Sequence, residues 1–422
     1  VTTTTRRSFV ESFLRFDSVT GSERPAQEWF RDRLADRGLE TYTWEGDPEL
    51  LADHDSFPDD PAEIDTASRP NVAGVATFGD PEAGPTVVLN GHCDVVPVER
   101  ASWSSDPFEP TWDAAGETLT ARGAADMKSG LSACLFAVEQ LREQAGDTLD
   151  GRVVVESVVD EEAGGSGAAT AALSNPYPFE RDCAIVAEPT DLRPVTATEG
   201  SVMVRLGLQG RSAHAATRWR GESVLPQFER VRAAFRELER ERAERVTHPL
   251  YERFETPWPV VAGTVEAGSW ASSVPAELTA EFRLGVAPGE TVAEVETAFR
   301  DRLETVAAAD DWSIEPPTLE RFSVQFEPAV TPTDATVVET LQTAVAAADA
   351  DLRTEPTGVT YGADSRHYVT VGVPTVLFGP GTIEAAHFPD EHVAWADVET
   401  ATSVLADTLA RLLQCGSNPH DS

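Results

Sequence analysis

Lysine is nearly absent from this chain of 422 residues: Lys128 is the only one, and every other basic side chain is arginine. Basic residues number 33 against 72 acidic ones, a formal net charge of −39. The acid is spread along the chain and not gathered in a tail, so it reads as a solvated surface. Phosphate backbones and anionic membranes want a basic footprint, which excludes nucleic acid and membrane as expected partners. At molar salt the Debye length falls to about 3 Å, which screens repulsion among surface carboxylates. A lysine-poor, acidic surface resembles that of proteins working in concentrated salt, and a salt requirement is expected.

Cysteine is also scarce. Cys93, Cys134, Cys183 and Cys415 lie far apart with no paired spacing. This excludes a disulfide framework or a zinc knuckle and predicts buried free thiols in a reducing compartment. Val1 to Arg7 carries no apolar signal core, and no apolar run approaches membrane-spanning length. A soluble, cytoplasmic protein is expected. The sequence also lacks internal repeats and low-complexity segments.

What is present is a globular composition, 41% apolar, in a chain long enough for two domains. Apolar spacing predicts helices from Arg6 to Phe16, Arg24 to Arg37, and Met127 to Arg142 (Leu131, Leu135, Val138, Leu141). Leu51 to Pro70, rich in Asp and Pro, is expected to be loop. Runs such as Thr86–Asn90, Val153–Val159 and Ala184–Ala187 read as interior strands. Strands alternating with helices predict an α/β catalytic domain with a mostly parallel sheet flanked by helices.

The pattern changes after residue 197. Ser201 to Leu208 alternates like a one-faced strand, and Ser223 to Val246 is a charged helix with an apolar stripe. Strands from Val260 to Val265 and Glu277 to Leu284 precede a helix from Val292 to Ala309, and a further strand is expected near Trp312. This is an α+β lid of its own. After Pro328 the first style returns, with a helix from Ala335 to Ala348, a strand Pro374–Phe378 and a closing helix from Val398 to Leu413. The expected organisation is a catalytic domain in two parts, 1–197 and 326–422, interrupted by a lid at 198–325.

In open α/β sheets, ligands bind beyond the carboxyl ends of the strands. Those ends carry the polar clusters here: His92 and Asp94, then Asp160-Glu161-Glu162, then Glu188, then Gly379-Pro380-Gly381 running to His387. Asp126 stands just before a helix. Taken singly, each has an ordinary reading. Asp160–Glu162 could be a solvated turn, Asp126 a helix N-cap, and His54, His248 and His420 surface residues. Gathered together, the acids would repel strongly without counter-charge, and a metal centre is the economical explanation. Imidazole and carboxylate without thiolate suit zinc, cobalt or manganese.

A set of segments carries a family resemblance: Asn90 to Pro97, Trp103 to Phe108, Arg122 to Lys128, Asp160 to Gly165, Ala187 to Thr190, Gly210 to His214, Phe282-Arg283 with Pro288 to Glu290, and Phe378 to His387 with Asp390-Glu391. In this order the chain resembles the zinc-dependent family of acetylornithine deacetylase, succinyl-diaminopimelate desuccinylase, aminoacylase and glutamate carboxypeptidase. The resemblance implies a metal-dependent hydrolase cleaving the amide bond of an N-acyl amino acid or small peptide with a two-metal-activated water. It implies two divalent ions, zinc first, bridged by Asp126. His92 and Glu188 would complete one ion, and Glu162 and His387 the other. Asp94 would hold the far ring nitrogen of His92, and Glu161 would be the general base.

The same resemblance makes His214 an oxyanion donor reaching across from a second subunit, hence a homodimer through the lid. It suggests Arg283, the Gly379–Gly381 backbone and, more weakly, Arg366 as substrate contacts, and a cis peptide at Asp126-Met127. One departure is visible: many relatives carry Asn three residues before the lid proline, where this chain has Ser272 before Pro275. Two other readings stand beside the deacylase: a carboxypeptidase or dipeptidase of the same family, and a catalytically inactive peptide-binding protein.

Overall fold

The structure is a computed structural model and describes residues 3–144, 149–309, 315–348 and 351–415. Its strands, in chain order, are β1 (Glu40–Trp44), β2 (Asn71–Phe78), β3 (Thr86–His92), β4 (Thr111–Trp112), β5 (Thr118–Thr120), β6 (Gly151–Val158), β7 (Cys183–Val186) and β8 (Val195–Thr198). They continue with β9 (Gly200–Gln209), β10 (Val260–Ala267), β11 (Glu277–Val286), β12 (Thr318–Arg321), β13 (Ala329–Val330), β14 (Thr357–Val359), β15 (Thr375–Leu377) and β16 (His392–Ala394).

Nine of them form one sheet in the order β1-β2-β6-β3-β7-β15-β8-β13, with β14 pairing off β8. At its centre β6, β3, β7 and β15 run parallel, and the flanks are antiparallel except for β14, which runs parallel to β8. The central strands read as unbroken apolar runs because both faces are covered. Along β3, Val87 and Leu89 enter one core with Phe13, Phe30, Leu131 and Leu405, while Val88 turns to the other with Val154, Ala168 and Tyr368. Helices Thr3–Leu14, Arg24–Asp36, Lys128–Gln144, Thr336–Ala348 and Trp395–Cys415 build the first layer. Ser166–Ser174 and Ser365–Thr370 lie on the second.

A separate antiparallel sheet, β10-β11-β9-β12, has its own core. One face of β9 (Val202, Val204, Leu206, Leu208) packs with Phe282 on Val231 and Phe235 of helix Leu225–Arg245 and on Phe299 of helix Val292–Ala309. The chain passes from β8 into β9 through the single residue Glu199, so the small sheet is hinged directly on the large one.

Several expectations need correction. Leu51 to Pro70 is not all loop: a short helix, Pro48–Ala52, is capped by Asp47 accepting from the backbone of Glu49 and Leu50, and one helical turn forms at Pro61–Glu63. Trp312 lies outside the described residues, and the strand completing the small sheet is β12, further on. His54 and His248 are half-buried rather than free on the surface. The His54 ring packs 5.9 Å from that of His367, and His248 accepts the Leu250 N–H at a helix start. His420 and the Cys415 side chain lie outside the described residues. Cys93, Cys134 and Cys183 are buried free thiols.

Candidate metal centre

The parallel core delivers its polar residues to one edge of the sheet. His92 is the last residue of β3, Glu161 and Glu162 follow β6, and Glu188 follows β7. Helix Lys128–Gln144 begins beside them, and Gly130 explains how closely it approaches: a Cβ there would stand 2.1 Å from the carbonyl oxygen of Ala187. Asp126 thus meets the strand ends, and its peptide bond to Met127 is cis. Lys128, the sole lysine, is fully buried and donates to the carbonyl of Phe16 at 2.9 Å.

Two groups of donor atoms result, each with all its ligand atoms within 4.8 Å of one another: His92, Asp126 and Glu188; and Asp126, Glu162 and His387. Asp126 belongs to both. Its Oδ1 lies 3.1 Å from His92 Nε2, and its Oδ2 lies 3.5 Å from His387 Nε2. Glu162 approaches the same His387 nitrogen at 2.9 Å. One carboxylate thus faces two pockets, one oxygen to each.

What holds the far ring nitrogen of His92 differs from the expectation for Asp94. His92 Nδ1 is 2.9 Å from the backbone carbonyl of Asp94, whereas the Asp94 carboxylate stands 3.6 Å away. A carbonyl only accepts, so it fixes the proton on Nδ1 and leaves the Nε2 lone pair for a cation. The Asp94 carboxylate instead accepts the backbone N–H groups of Glu161 (3.3 Å) and Glu162 (3.2 Å) and the Thr20 hydroxyl (3.1 Å). It sets the turn on which both glutamates ride.

A functional support that sequence reasoning left without a role is Glu391. Fully buried, it accepts the N–H groups of Ala125 (2.8 Å) and Asp126 (2.9 Å) and pairs with Arg122 at 2.6 Å. The signal was present, since Arg122 and Glu391 both fall within motif segments, but nothing in sequence spacing joins them.

The electrostatics of this cluster call for positive charge. Burial pushes Glu161 and Glu188 well above the usual carboxylate range, and the charges of Glu188 on the first and Asp126 on the second add to it. Burial raises Asp94 to about 7. Burial works against the His92 imidazolium, yet its bond to Asp126 and the surrounding carboxylates hold it well above an ordinary imidazole. Its bond to Glu162 raises His387 as well. Among the described residues no arginine or lysine forms an ion pair with Asp126, Glu161, Glu162 or Glu188, and Arg122 acts on Asp126 only from further off. Such a cluster suits divalent ions: two imidazoles and three carboxylates are a borderline-to-hard donor set.

The remaining predicted residues sort differently. Arg366 is buried, donates to the carbonyls of Gly164 (2.6 Å) and Ala363 (3.4 Å), and stacks 4.0 Å from the Phe326 ring centroid. These contacts tie it into the structure. Gly379 offers no free donor, because its N–H goes to Thr190 Oγ1 at 3.1 Å. Gly381, in the left-handed region at φ 80°, lies against Ala125. Arg283 on β11 reaches Glu199 and the carbonyl of Thr360, both at 3.3 Å, tying the small sheet to the large one.

His214 stands exposed on the small sheet's loop. Its Nδ1 accepts the Ala216 N–H at 3.1 Å, so the neutral ring carries its proton on Nε2 and points a donor away from its own loop. Ser272 is its immediate neighbour, its carbonyl accepting the Ala215 N–H at 2.8 Å.

Residues 88–411 match the model of peptidase family M20/M25/M40. The chain is similar to acetylornithine deacetylase of Erwinia tasmaniensis, 26% identical over 324 residues, which cover 76% of this chain and 79% of that one. In fold it is similar to a metallo-carboxypeptidase of the M20 family from Sulfolobus solfataricus (TM-score 0.72, 16% identity, 97% and 99% of the two chains). A dinuclear metal binding peptidase from Bacillus subtilis is also similar (TM-score 0.64, 14% identity, 97% and 98%). With three quarters of its length matched and a double donor cluster at the strand ends, this chain belongs to peptidase family M20/M25/M40.

Proposed function

We propose that this metal-dependent hydrolase cleaves the amide bond of an N-acyl amino acid or small peptide, with deacylation as its leading activity. The carrying observation is the shared Asp126 carboxylate between two donor groups, with Glu161 buried beside them. His92, Asp126 and Glu188 would hold one ion, and Asp126, Glu162 and His387 the other. Bound there, two such ions would supply Lewis acidity, lowering the pKa of a water towards about 7 and polarising the amide carbonyl. The donor set suits zinc first, with cobalt or manganese as substitutes.

The chain's own residues supply the rest. Glu161 takes the proton of the attacking water and returns it to the leaving amine. Asp94 keeps Glu161 and Glu162 apart in their two roles by holding the N–H of each. The Nε2–H of His214 donates to the oxyanion from the lid of a second subunit, an arrangement supported by its exposure and tautomer. Arg283, whose planar guanidinium fork is well shaped for a substrate carboxylate, and the Gly381 backbone would contact the substrate.

A homodimer through the lid is supported by what the small sheet leaves uncovered. β10 is an edge strand with Val261 and Val265 facing solvent, and Trp219 and Trp270 are 76% and 71% exposed beside the His214 loop. Exposed apolar groups in such numbers mark a contact surface.

Likeness in fold to a carboxypeptidase keeps cleavage of a peptide's terminal residue as the second reading. A screen in molar salt with added zinc or cobalt separates them, using N-acetyl and N-succinyl amino acids, N-acetylornithine and dipeptides. Hydrolysis of the acyl compounds above the dipeptides is expected, and the reverse order would replace the first reading by the second. Turnover of none, with peptide binding unchanged in Glu161→Gln, would make it a binding protein.

A further inference from the structure

A cavity of about 380 Å³ opens beside the metal centre, lined among others by Thr190, Asp191, Arg193, Arg253 and Tyr361. Its lining begins at Pro189, the residue after Glu188. Tyr361 forms the wall towards the centre: burial first, then the charges of Glu188 and Asp126, push its phenol well up. The cavity is therefore in the electrostatic reach of the reaction site without containing a proposed ligand.

The loop that shapes it is held in an uncommon backbone. Asp191 and Leu192 are consecutive non-glycine residues at φ 56°, a left-handed conformation that survives only when the surroundings enforce it. The enforcement is visible. Asp191 N–H donates to the carbonyl of Gly381 at 2.7 Å, Leu192 N–H to that of Gly379 at 3.2 Å, and Thr190 bonds Gly379. This stapling turns Arg193 onto the same cavity as Thr190.

Arg193 is half-buried, and its Nε is buried without a hydrogen-bond partner. Burial and the nearby charges of Arg353 and Arg253 hold it below an ordinary guanidinium, outweighing the opposite pull of Asp191 and Glu355. In a chain carrying a net charge of −39, two guanidinium groups, Arg193 and Arg253, line this cavity together. Arg253 is anchored by the carbonyl of Gly358 at 2.8 Å and by the Phe254 ring, 4.5 Å from its centroid. The acids Asp191 and Glu384 also line the cavity and are exposed, as is Arg253, whereas Arg193 is half-buried.

We propose that this cavity is the specificity subsite of the proposed hydrolase and takes a second carboxylate of the substrate, clasped by Arg193 and Arg253. The substrate class is then an amide with a dicarboxylic acyl group or an acidic side chain, and a cationic side chain is disfavoured. The inference rests on the amidohydrolase reading for its placement but not for its binding chemistry. Arg is suited to the task because its planar fork matches a carboxylate, and a partly desolvated one gains most from meeting an anion.

The test compares kcat/KM of the metal-loaded enzyme, at fixed ionic strength, within two pairs. N-acetylglutamate against N-acetylglutamine probes the side chain, and N-succinylalanine against N-butyrylalanine probes the acyl group. The acidic member of at least one pair is expected to lead tenfold or more. The Arg193→Gln/Arg253→Gln double variant should bring that ratio to within twofold of one, and Arg193→Lys/Arg253→Lys should keep part of it. Wild-type ratios within twofold of one in both pairs, or a tenfold ratio that survives the double Gln variant, overturn the proposal. If no amide is hydrolysed, the amidohydrolase reading fails by itself, and succinate binding by calorimetry decides the subsite. Binding lost in the double Gln variant upholds it, whereas absent or unchanged binding overturns it.

Discussion

The two donor groups of the metal centre share Asp126 and are otherwise unlike. His92 is 1% exposed, ends a central strand, and has its tautomer fixed by a backbone carbonyl two residues on. The His387 side chain is 51% exposed and stands on a loop with its backbone at φ 62°. The inner group is assembled by the sheet and the outer one is completed from outside it. The same chemistry is thus held with two rigidities, and an ion in the outer position should exchange more readily than one in the inner.

The largest effect is expected where neither group is touched. Glu161→Gln should lower kcat by about a thousandfold, within the range for losing a general base, with two ions still bound per chain by elemental analysis. Loss of an ion from that variant would instead make Glu161 a ligand and blur the comparison. Next come the ligands. His387→Ala should retain one ion after dialysis, while His92→Ala should lose the inner ion, and removing a support such as Glu391 should weaken binding about 10- to 100-fold. Equal loss from His92→Ala and His387→Ala would abolish the distinction drawn here.

Proton competition gives a smaller effect. Both imidazoles are raised above their ordinary value in the metal-free protein, so each keeps its proton to higher pH than a free imidazole would. A cation must displace that proton, so metal affinity falls as pH falls through the raised pKa, by about tenfold per unit for each imidazole involved. Isothermal titrations with zinc between pH 5.5 and 8, in buffers of different ionisation enthalpy, measure the protons released. Affinity independent of pH would show that the imidazoles do not bind the ions.

Cys93→Ala should be nearly silent. The thiol, just past the end of β3, is buried in the core, so both ions should remain and stability should drop by about 1 kcal/mol from the small cavity. The acidic surface supplies a last, distributed effect: the melting temperature should rise from dilute buffer to 2 M KCl, and a flat response would remove the salt-adaptation reading.

How much of this was legible in the sequence depends on how far apart the partners lie. β3, β6 and β7 were readable because strands buried on both faces are continuous apolar runs, and their ends placed His92, Glu161, Glu162 and Glu188. Glu391 was not, because the N–H of Asp126 that it receives is 265 residues away. Arg366 illustrates a second limit: a guanidinium looks alike in sequence whether it meets solvent or, as here, the Gly164 carbonyl and a Phe326 ring. Asp94 shows a third, since choosing between its carbonyl and its carboxylate as the partner of His92 needs atomic geometry.

The burial of Lys128 has a practical meaning. It is the only side-chain amine of the chain, it is fully enclosed, and burial lowers its pKa to about 8. In the folded protein, acylating reagents meet no lysine at the surface. Each molecule that opens its core exposes one such amine, and the added mass on that single site counts unfolding events directly, molecule by molecule, without any engineered label.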